Sequence, residues 1–341
     1  MFHILVVDDD KNTRRLIEAV LSRENYTVTT AENGEQALQR LDEQHIDLIV
    51  LDIMMPKIDG YELTRQLRAA GNELPILMVS AKQLPADRHR GFLVGTDDYV
   101  TKPIDEQELL RQLVNTHIAP SSLCRAAYTE RALKAAVHTG VQQHVILGAG
   151  LDTFAFRERE FLSEHPVFEV DHPATQADKA ARIARAGWTI PGNLTFVPVD
   201  FARDNLAECL LANGFEPSVR SFFSWLGVTY YLPAEAINNT LASLSALCPE
   251  GSALVFDYPD EGFFTAAERR VQNTIGMAKA GGEPMQSAFS YAELERMLER
   301  NGFRICELLT PADIQTEIID RAGAELKAFE HVNYCLAVRT G

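Results

Sequence analysis

No apolar run in this 341-residue chain approaches the ~20 residues that a bilayer-spanning helix needs. Cys-x-x-Cys is missing too. The five cysteines (Cys124, Cys209, Cys248, Cys306, Cys335) are scattered, so neither a zinc site nor a disulfide framework is expected. They read as reduced core thiols. Basic runs are also absent. The net charge is −16, with 13 basic against 20 acidic residues before position 118 and 19 against 28 after it. A general grip on nucleic acid needs Lys and Arg over phosphates, so nucleic acid is not an expected partner, and neither is a membrane. The first residues run straight into Asp8 without a basic leader, and a cytoplasmic location is expected. What is left is an ordinary soluble composition, 46% hydrophobic and 23% charged, with room for two or three cores.

The first third alternates between two hydrophobic periods. Ile4 to Val7 is a short β-branched run of the kind found in a buried parallel strand, and a helical spacing follows at Leu16, Ile17, Val20 and Leu21. Further strands are expected at 26–29, 46–51, 76–79 and 98–100. Helices are expected at 35–41, 61–70 and 106–114, with turn signals at Asn33-Gly34 and Asp59-Gly60. This is a doubly wound α/β pattern with a five-stranded parallel sheet, and ligands of such folds bind beyond the strand C-termini.

The polar residues fall at those ends. Asp8 and Asp9 follow the first strand, Asp52 the third, Ser80 the fourth and Lys102 the fifth. Clustered carboxylates repel one another and call for a counter-ion, and hard oxygen donors suit Mg²⁺. A metal and a lysine together would let an anionic phosphoryl donor approach Asp52, whose carboxylate can act as the nucleophile. Asp10 reads as a helix cap rather than a ligand. His3 and His45 read as ordinary residues.

Val6-Val7-Asp8-Asp9-Asp10, Leu51-Asp52-Ile53-Met54-Met55-Pro56, Asp59-Gly60, Val79-Ser80-Ala81 and Tyr99-Val100-Thr101-Lys102-Pro103 resemble the receiver domain of two-component response regulators, over about residues 1–117. The resemblance implies that Asp52 accepts phosphate from a cognate histidine kinase. It implies Mg²⁺ held by Asp9 directly, by Asp8 through water, by Asp52 and by the Met54 carbonyl. Ser80 would bond the phosphoryl oxygen, Lys102 would pair with it, and Tyr99 would be the aromatic whose rotamer reports the state. The Lys102–Pro103 bond is often cis in this family. Receivers often dimerise through their last helices, and Asp97, Asp98 and Arg111 are candidates for a homodimer contact or else solvated charges.

His117-Ile118-Ala119-Pro120-Ser121-Ser122 reads as the boundary, with a short linker at 118–122 and a second domain at 123–341. The linker is too short for a flexible tether, so the domains should touch or share a helix.

Beyond it an amphipathic helix is expected at 131–137. A strand at 144–147 then ends in Gly148-Ala149-Gly150, where glycines let backbone approach a ligand. The next strand, 167–170, ends in Asp171, placed to accept two ribose hydroxyls. A third, 194–199, ends in Asp200, which could take the exocyclic amine of adenine. Position 153 is Thr where a dinucleotide fingerprint has its last glycine, which favours S-adenosylmethionine over NAD. Strands at 221–225 and 253–257 and a terminal antiparallel pair, 303–309 with 332–338, complete a seven-stranded Rossmann-like sheet. Trp225 and the Phe222-Phe223 pair read as core, and Asp152 as a turn-stabilising residue as readily as a ligand.

Gly148-Ala149-Gly150-Leu151-Asp152-Thr153, Phe156-Arg157, Glu169-Val170-Asp171-His172-Pro173, Lys179 and Tyr230-Tyr231-Leu232 are similar to the leucine carboxyl methyltransferase family, over about 121–341. That resemblance implies a class I methyltransferase sheet, S-adenosylmethionine as donor and O-methylation of a small molecule. Gly148 and Gly150 would lie under the methionine part, Asp171 would hold the ribose, Asp200 with Phe201 would frame the adenine, and Arg125 would pair with the methionine carboxylate. Two departures stand out. The family has several tens more residues before the position of Arg125, where this chain has its receiver. It also often has Glu-Gly where this chain has Leu226-Gly227.

The sulfonium carries its own activation, so methyl transfer needs alignment. A carboxylate acceptor needs no base. A hydroxyl would, and His172, Tyr230 and Tyr258 are candidates, each with a packing or capping role as the alternative. The leading expectation is a methyltransferase switched by phosphorylation. The second is a signalling or binding module with an inactive methyltransferase-like half, and the third a fusion whose halves do not communicate.

Overall fold

The structure, a computed structural model, describes residues 3–24, 26–70, 72, 74–80, 96, 98–117, 119–158, 161, 165–201, 203–280, 282–324 and 326–341. The chain divides into two compact units, Met1–Ser121 with Ala266–Pro284, and Ser122–Thr265 with Met285–Gly341. No helix among the described residues is long and apolar enough to cross a membrane.

The first unit holds a parallel sheet in the order β2-β1-β3-β4-β5, formed by β1 His3–Val7, β2 Thr27–Ala31, β3 Leu48–Asp52, β4 Ile76–Ser80 and β5 Asp98–Thr101. Both faces are covered, which is why β1, β3 and β4 carry continuous apolar runs, at 4–7, 48–51 and 76–79, rather than alternating. Leu5, Val7, Ile49, Leu51, Ile76 and Met78 form one core layer. Ile4, Val6, Leu48, Val50, Leu77 and Val79 form the other, with Ile17, Val20 and Leu21 of the helix Lys11–Arg23. The order reverses between β1 and β3, so the ligand crevice lies beyond their carboxyl ends. Asp10 caps the helix Lys11–Arg23, accepting the Asn12 and Thr13 amides at 2.7 and 2.9 Å, as its sequence position suggests.

The helix Gly60–Ala69 begins hard against β3. A Cβ on Gly60 would stand 2.5 Å from the Asp52 carbonyl oxygen and 2.9 Å from the Ile53 Cα, so only glycine fits there. Asp59 caps the same helix through the Glu62 amide.

In the second unit a sheet runs β11-β12-β10-β9-β6-β7-β8. Its strands are β6 Gln143–Leu147, β7 Val167–Asp171, β8 Leu194–Pro198, β9 Ser221–Trp225, β10 Ala253–Pro259, β11 Phe303–Leu309 and β12 Val332–Arg339. β6 to β10 are parallel, while β12 runs antiparallel to both β10 and β11, as expected of the terminal pair. Here the order reverses between β6 and β9. Trp225, Phe222 and Phe223 are fully buried, so the core reading of these aromatics holds.

The helix Ala119–His138 starts within the boundary segment read at 118–122. Pro120 stands in its first turn, where a missing N–H costs nothing, and so starts the helix. The helix Pro173–Arg185 escaped notice in the sequence. Its start is an unusual cap, His172, whose Nδ1 accepts the Ala174 amide at 3.2 Å, with proline next. Of the candidate dimer residues, Asp97 and the side chains of Asp98 and Arg111 lie outside the described residues.

Candidate functional site

At the first switch point the ligand oxygens of Asp8, Asp9 and Asp52 lie within 4.8 Å of one another. Asp8 and Asp52 are buried, at 1% and 3% exposure, while Asp9 faces solvent. Lys102, which follows β5, reaches both buried acids: its Nζ stands 2.8 Å from Asp8 Oδ2 and 3.2 Å from Asp52 Oδ2. The contact with Asp8 Oδ2 is a close ion pair without the alignment of a hydrogen bond, so that oxygen keeps unspent acceptor capacity. Burial and the neighbouring Asp8 charge push the Asp52 carboxyl up, against the pull of Lys102. Burial alone would lower the Lys102 pKa, but its close contact with Asp8 and the charges of Asp52 and Asp8 outweigh this and raise it. Three carboxylates against one ammonium form a site short of positive charge, whose oxygen donors fit a hard divalent cation.

The loop bearing Asp8 and Asp9 is braced by a residue that sequence reading missed. Arg14, itself buried, donates to the Asp8 and Asp9 carbonyls at 2.5 and 3.0 Å and pairs with Glu32 at 3.0 Å. No motif marks it; only its return to the preceding loop from the first helical turn reveals the role. Ser80 is buried at the end of β4, and its carbonyl accepts the Lys102 amide at 2.7 Å. Met54 is 57% exposed in the loop after β3. Tyr99 is buried, its hydroxyl 3.3 Å from that of Tyr61. The Lys102–Pro103 bond is cis. Ala81 lies outside the described residues.

At the second switch point Gly148 and Gly150 both take left-handed backbone, with φ of +66° and +50°. A Cβ on Gly148 would strike Val228, which follows β9 across the crevice. The Gly148 and Ala149 amides donate to the Val170 carbonyl at 2.8 and 3.1 Å, folding the glycine turn over the end of β7. Asp171 ends that strand: its Oδ2 accepts the Gly150 amide at 2.5 Å and its Oδ1 the His172 amide at 2.6 Å. A carboxylate has about four acceptor positions, so two remain for hydroxyl donors, which fits a ribose. Asp152 accepts the Phe154 amide at 2.5 Å, the turn-stabilising role weighed for it.

Asp200 is half-buried after β8, its carboxylate 3.5 Å from Arg203 Nε, and the adjacent Phe201 packs on the main core. Arg125, in the helix Ala119–His138, is held by the protein. Its Nη1 donates to Tyr230 Oη at 3.0 Å and to Asp257 Oδ2 at 3.2 Å. Burial would lower the Arg125 pKa, but the charge of Asp257 raises it strongly, so it stays cationic. Asp257 is fully buried in β10, takes the Tyr230 hydroxyl at 2.5 Å and accepts the Gly227 amide at 2.7 Å. Sequence reading missed Asp257, although a carboxylate inside the apolar run Leu254-Val255-Phe256 was itself a signal. It brings an acid to Gly227 from the neighbouring strand, while Leu226 lines a cavity of about 20 Å³ with Thr129, His144, Asp152 and Ser224.

Comparison with known proteins finds two families in the chain. A family model described as "Response regulator receiver domain" matches residues 4–114, and one described as "Leucine carboxyl methyltransferase" matches 80–245, overlapping the first over 80–114. YktD of Bacillus subtilis (strain 168), by name a candidate S-adenosyl-L-methionine-dependent methyltransferase, is 43% identical over 237 residues, 69% of this chain and 78% of that protein. The transcriptional regulatory protein ResD of the same organism is 48% identical over 107 residues, 31% of this chain and 44% of ResD. The solved structure of the chemotaxis protein CheY4 of Vibrio cholerae aligns at 30% identity with a TM-score of 0.33, covering 34% of this chain and 98% of that one.

Proposed function

Because the chain belongs to the leucine carboxyl methyltransferase family and carries a response-regulator receiver domain, we propose that it is a response regulator whose output is O-methyl transfer from S-adenosylmethionine, with phosphorylation of Asp52 as the input. The receiver would span 1–117 and the methyltransferase domain 123–341, joined at 118–122. A cognate histidine kinase is the phosphoryl source, and a homodimer through the receiver remains part of the proposal.

The input rests on the convergence of Asp8, Asp9, Asp52 and Lys102. Mg²⁺ bound by the three acids, with the Met54 carbonyl, would supply the positive charge that lets an anionic donor approach. Asp52 would attack phosphorus through a carboxylate oxygen as the bond from phosphorus to the kinase's histidine nitrogen breaks and the neutral imidazole leaves; Lys102 would move its ammonium from the carboxylates toward the transferred oxygens, and Ser80 would donate its hydroxyl to one of them. Burial and the Asp8 charge raise the Asp52 carboxyl, and a bound cation would supply charge that offsets them and favours its ionised, nucleophilic form.

For the output, the carrying observation is Asp171, fixed by the Gly150 and His172 amides beside two left-handed glycines at the switch point. S-adenosylmethionine would lie there with its ribose on Asp171, its adenine by Asp200 and Phe201, its methionine over Gly148 and its carboxylate toward Arg125. The surroundings of the candidate bases favour a carboxylate acceptor over a hydroxyl. His172 caps a helix. Burial and Asp257 raise the Tyr230 phenol, and burial raises that of Tyr258. A group with a strongly raised pKa and a buried proton accepts no proton at neutral pH.

One observation favours the second reading, a binding module without turnover: Arg125 is already neutralised by Asp257, and Leu226 replaces an acid. Calorimetric titration with S-adenosylmethionine, followed by turnover on a panel of small carboxylic and hydroxylated acceptors, separates the two. Binding with methyl transfer supports the enzyme, whereas binding without transfer, or no binding at millimolar cofactor, rejects the enzyme and favours the module.

A further inference from the structure

Lys179 makes none of the cofactor contacts proposed for the second site. It stands two turns into the helix that leaves Asp171, and it is buried, at 4% exposure. Its ammonium pairs with Glu169 Oε2, and Glu169 is fully buried. Glu169 lies two residues before Asp171 on β7, hence on the same face of the strand. Its other oxygen, Oε1, has no hydrogen-bond partner.

The charged groups facing Glu169 are Lys179 from the helix, Asp152 from the glycine turn and Asp171 from its own strand. β8 offers Phe196, whose ring centre lies 5.9 Å from the ammonium. Burial pushes the Glu169 carboxyl up, Lys179 pulls it down, and Asp152 and Asp171 push it up again, to about 7. Among the described residues Lys179 is thus the one cation set beside these three carboxylates, Glu169, Asp152 and Asp171. One helical turn earlier, Gln176 donates to the Glu169 carbonyl at 2.8 Å and the Val197 carbonyl at 3.0 Å. Two side chains on one helix face therefore fasten the helix to the end of β7. A buried ion pair is weak evidence for stability, because desolvation cancels most of its gain. Its placement next to Asp171 is the more informative fact.

We propose that Lys179 is a positioning residue of the cofactor site: through Glu169 it clamps the end of β7 to its helix, so that Asp171 keeps the Gly150 amide and turns its remaining acceptor positions to a ribose. This rests on the methyltransferase reading for its ligand but not for its geometry, since the Gly150–Asp171 bond exists without cofactor.

The test uses the full-length protein with Lys179→Met, Lys179→Arg and the double variant Glu169→Gln/Lys179→Met. Three readouts are amide hydrogen exchange at Gly150, melting temperature, and titration with S-adenosylmethionine. Lys179→Met should speed Gly150 exchange and weaken cofactor binding, each about tenfold, the scale of one lost charged hydrogen bond. Lys179→Arg should restore both to within about threefold, since it keeps the cation. The double variant, with no orphan charge, should recover the melting temperature but neither Gly150 protection nor affinity. It also decides the question if Lys179→Met does not fold. Normal Gly150 exchange and affinity in Lys179→Met would overturn the proposal, as would recovery of all three readouts in the double variant, which would leave the lysine a mere charge neutraliser. A wild type that fails to bind cofactor would overturn the methyltransferase reading, and the exchange data would still decide the role of Lys179.

Discussion

The two switch points differ in what they do with their charges. At the receiver crevice three carboxylates meet one lysine, and two of the acids are buried with no other cation paired to them among the described residues. At the cofactor crevice every acid named has a donor in the protein itself: Gly150 and His172 for Asp171, Arg203 for Asp200, Arg125 with Tyr230 for Asp257. The first site holds an electrostatic deficit that a metal ion and a phosphoryl group would relieve. The second also sets three carboxylates, Asp152, Glu169 and Asp171, near one lysine, but each is fixed by a donor of the chain itself, so a ligand would add to acceptors already oriented. A site in deficit should respond to ions above all, and a pre-oriented site to geometry.

That contrast can be broken most severely at Asp52. Asp52→Asn should abolish phosphoryl incorporation from acetyl phosphate, read by intact-protein mass spectrometry, and leave cofactor affinity in the unphosphorylated protein unchanged. In the second site the largest cost should follow loss of Asp257. Asp257→Ala orphans the buried side of Arg125 and should cost about 3 kcal/mol in urea unfolding, the low end for a broken buried pair because Arg125 is partly exposed. Asp171→Ala should weaken S-adenosylmethionine binding about a hundredfold by calorimetry, from two or more lost charge-assisted bonds.

A pH effect belongs to the second unit. His144 is buried in β6, and burial lowers its pKa from 6.5 to about 3. The unfolded chain therefore takes up that proton first. The stability it contributes is complete above pH 6.5 and is lost as pH falls toward about 3. Between pH 7 and 5 the loss should be about 2 kcal/mol in urea unfolding, and His144→Asn should flatten that slope. The smallest effect is expected from Asp10→Ala. It should lower the melting temperature slightly and leave Mg²⁺ affinity and phosphorylation intact, separating a cap from the ligands beside it.

How legible each site was follows from the same contrast. Asp8, Asp9, Asp52, Ser80 and Lys102 each sit at or next to a strand end of a parallel sheet, and short apolar strands are easy to find by period. Their convergence is a consequence of topology, so locating the strands located the site. Arg14 escaped because its role is to reach backbone carbonyls, which leave no trace in a sequence. In the second half Gly148, Gly150 and Asp171 were legible as punctuation of two strands. Asp257 was not, because it lies inside β10 and earns its place through Arg125, 132 positions away. The helix start near Pro120 was legible because proline suits a first helical turn, and only its exact first residue, Ala119, was not.

The central claim is that one chain joins a phosphorylatable acidic site to a cofactor site. Calorimetric titration of the full chain with S-adenosylmethionine, with and without Mg²⁺ and beryllofluoride as the phosphoryl mimic, tests it most directly. The account predicts saturable one-to-one binding in both conditions, with an affinity that shifts when the mimic is present and does not shift in Asp52→Asn. Absence of binding at millimolar cofactor in both conditions would contradict it.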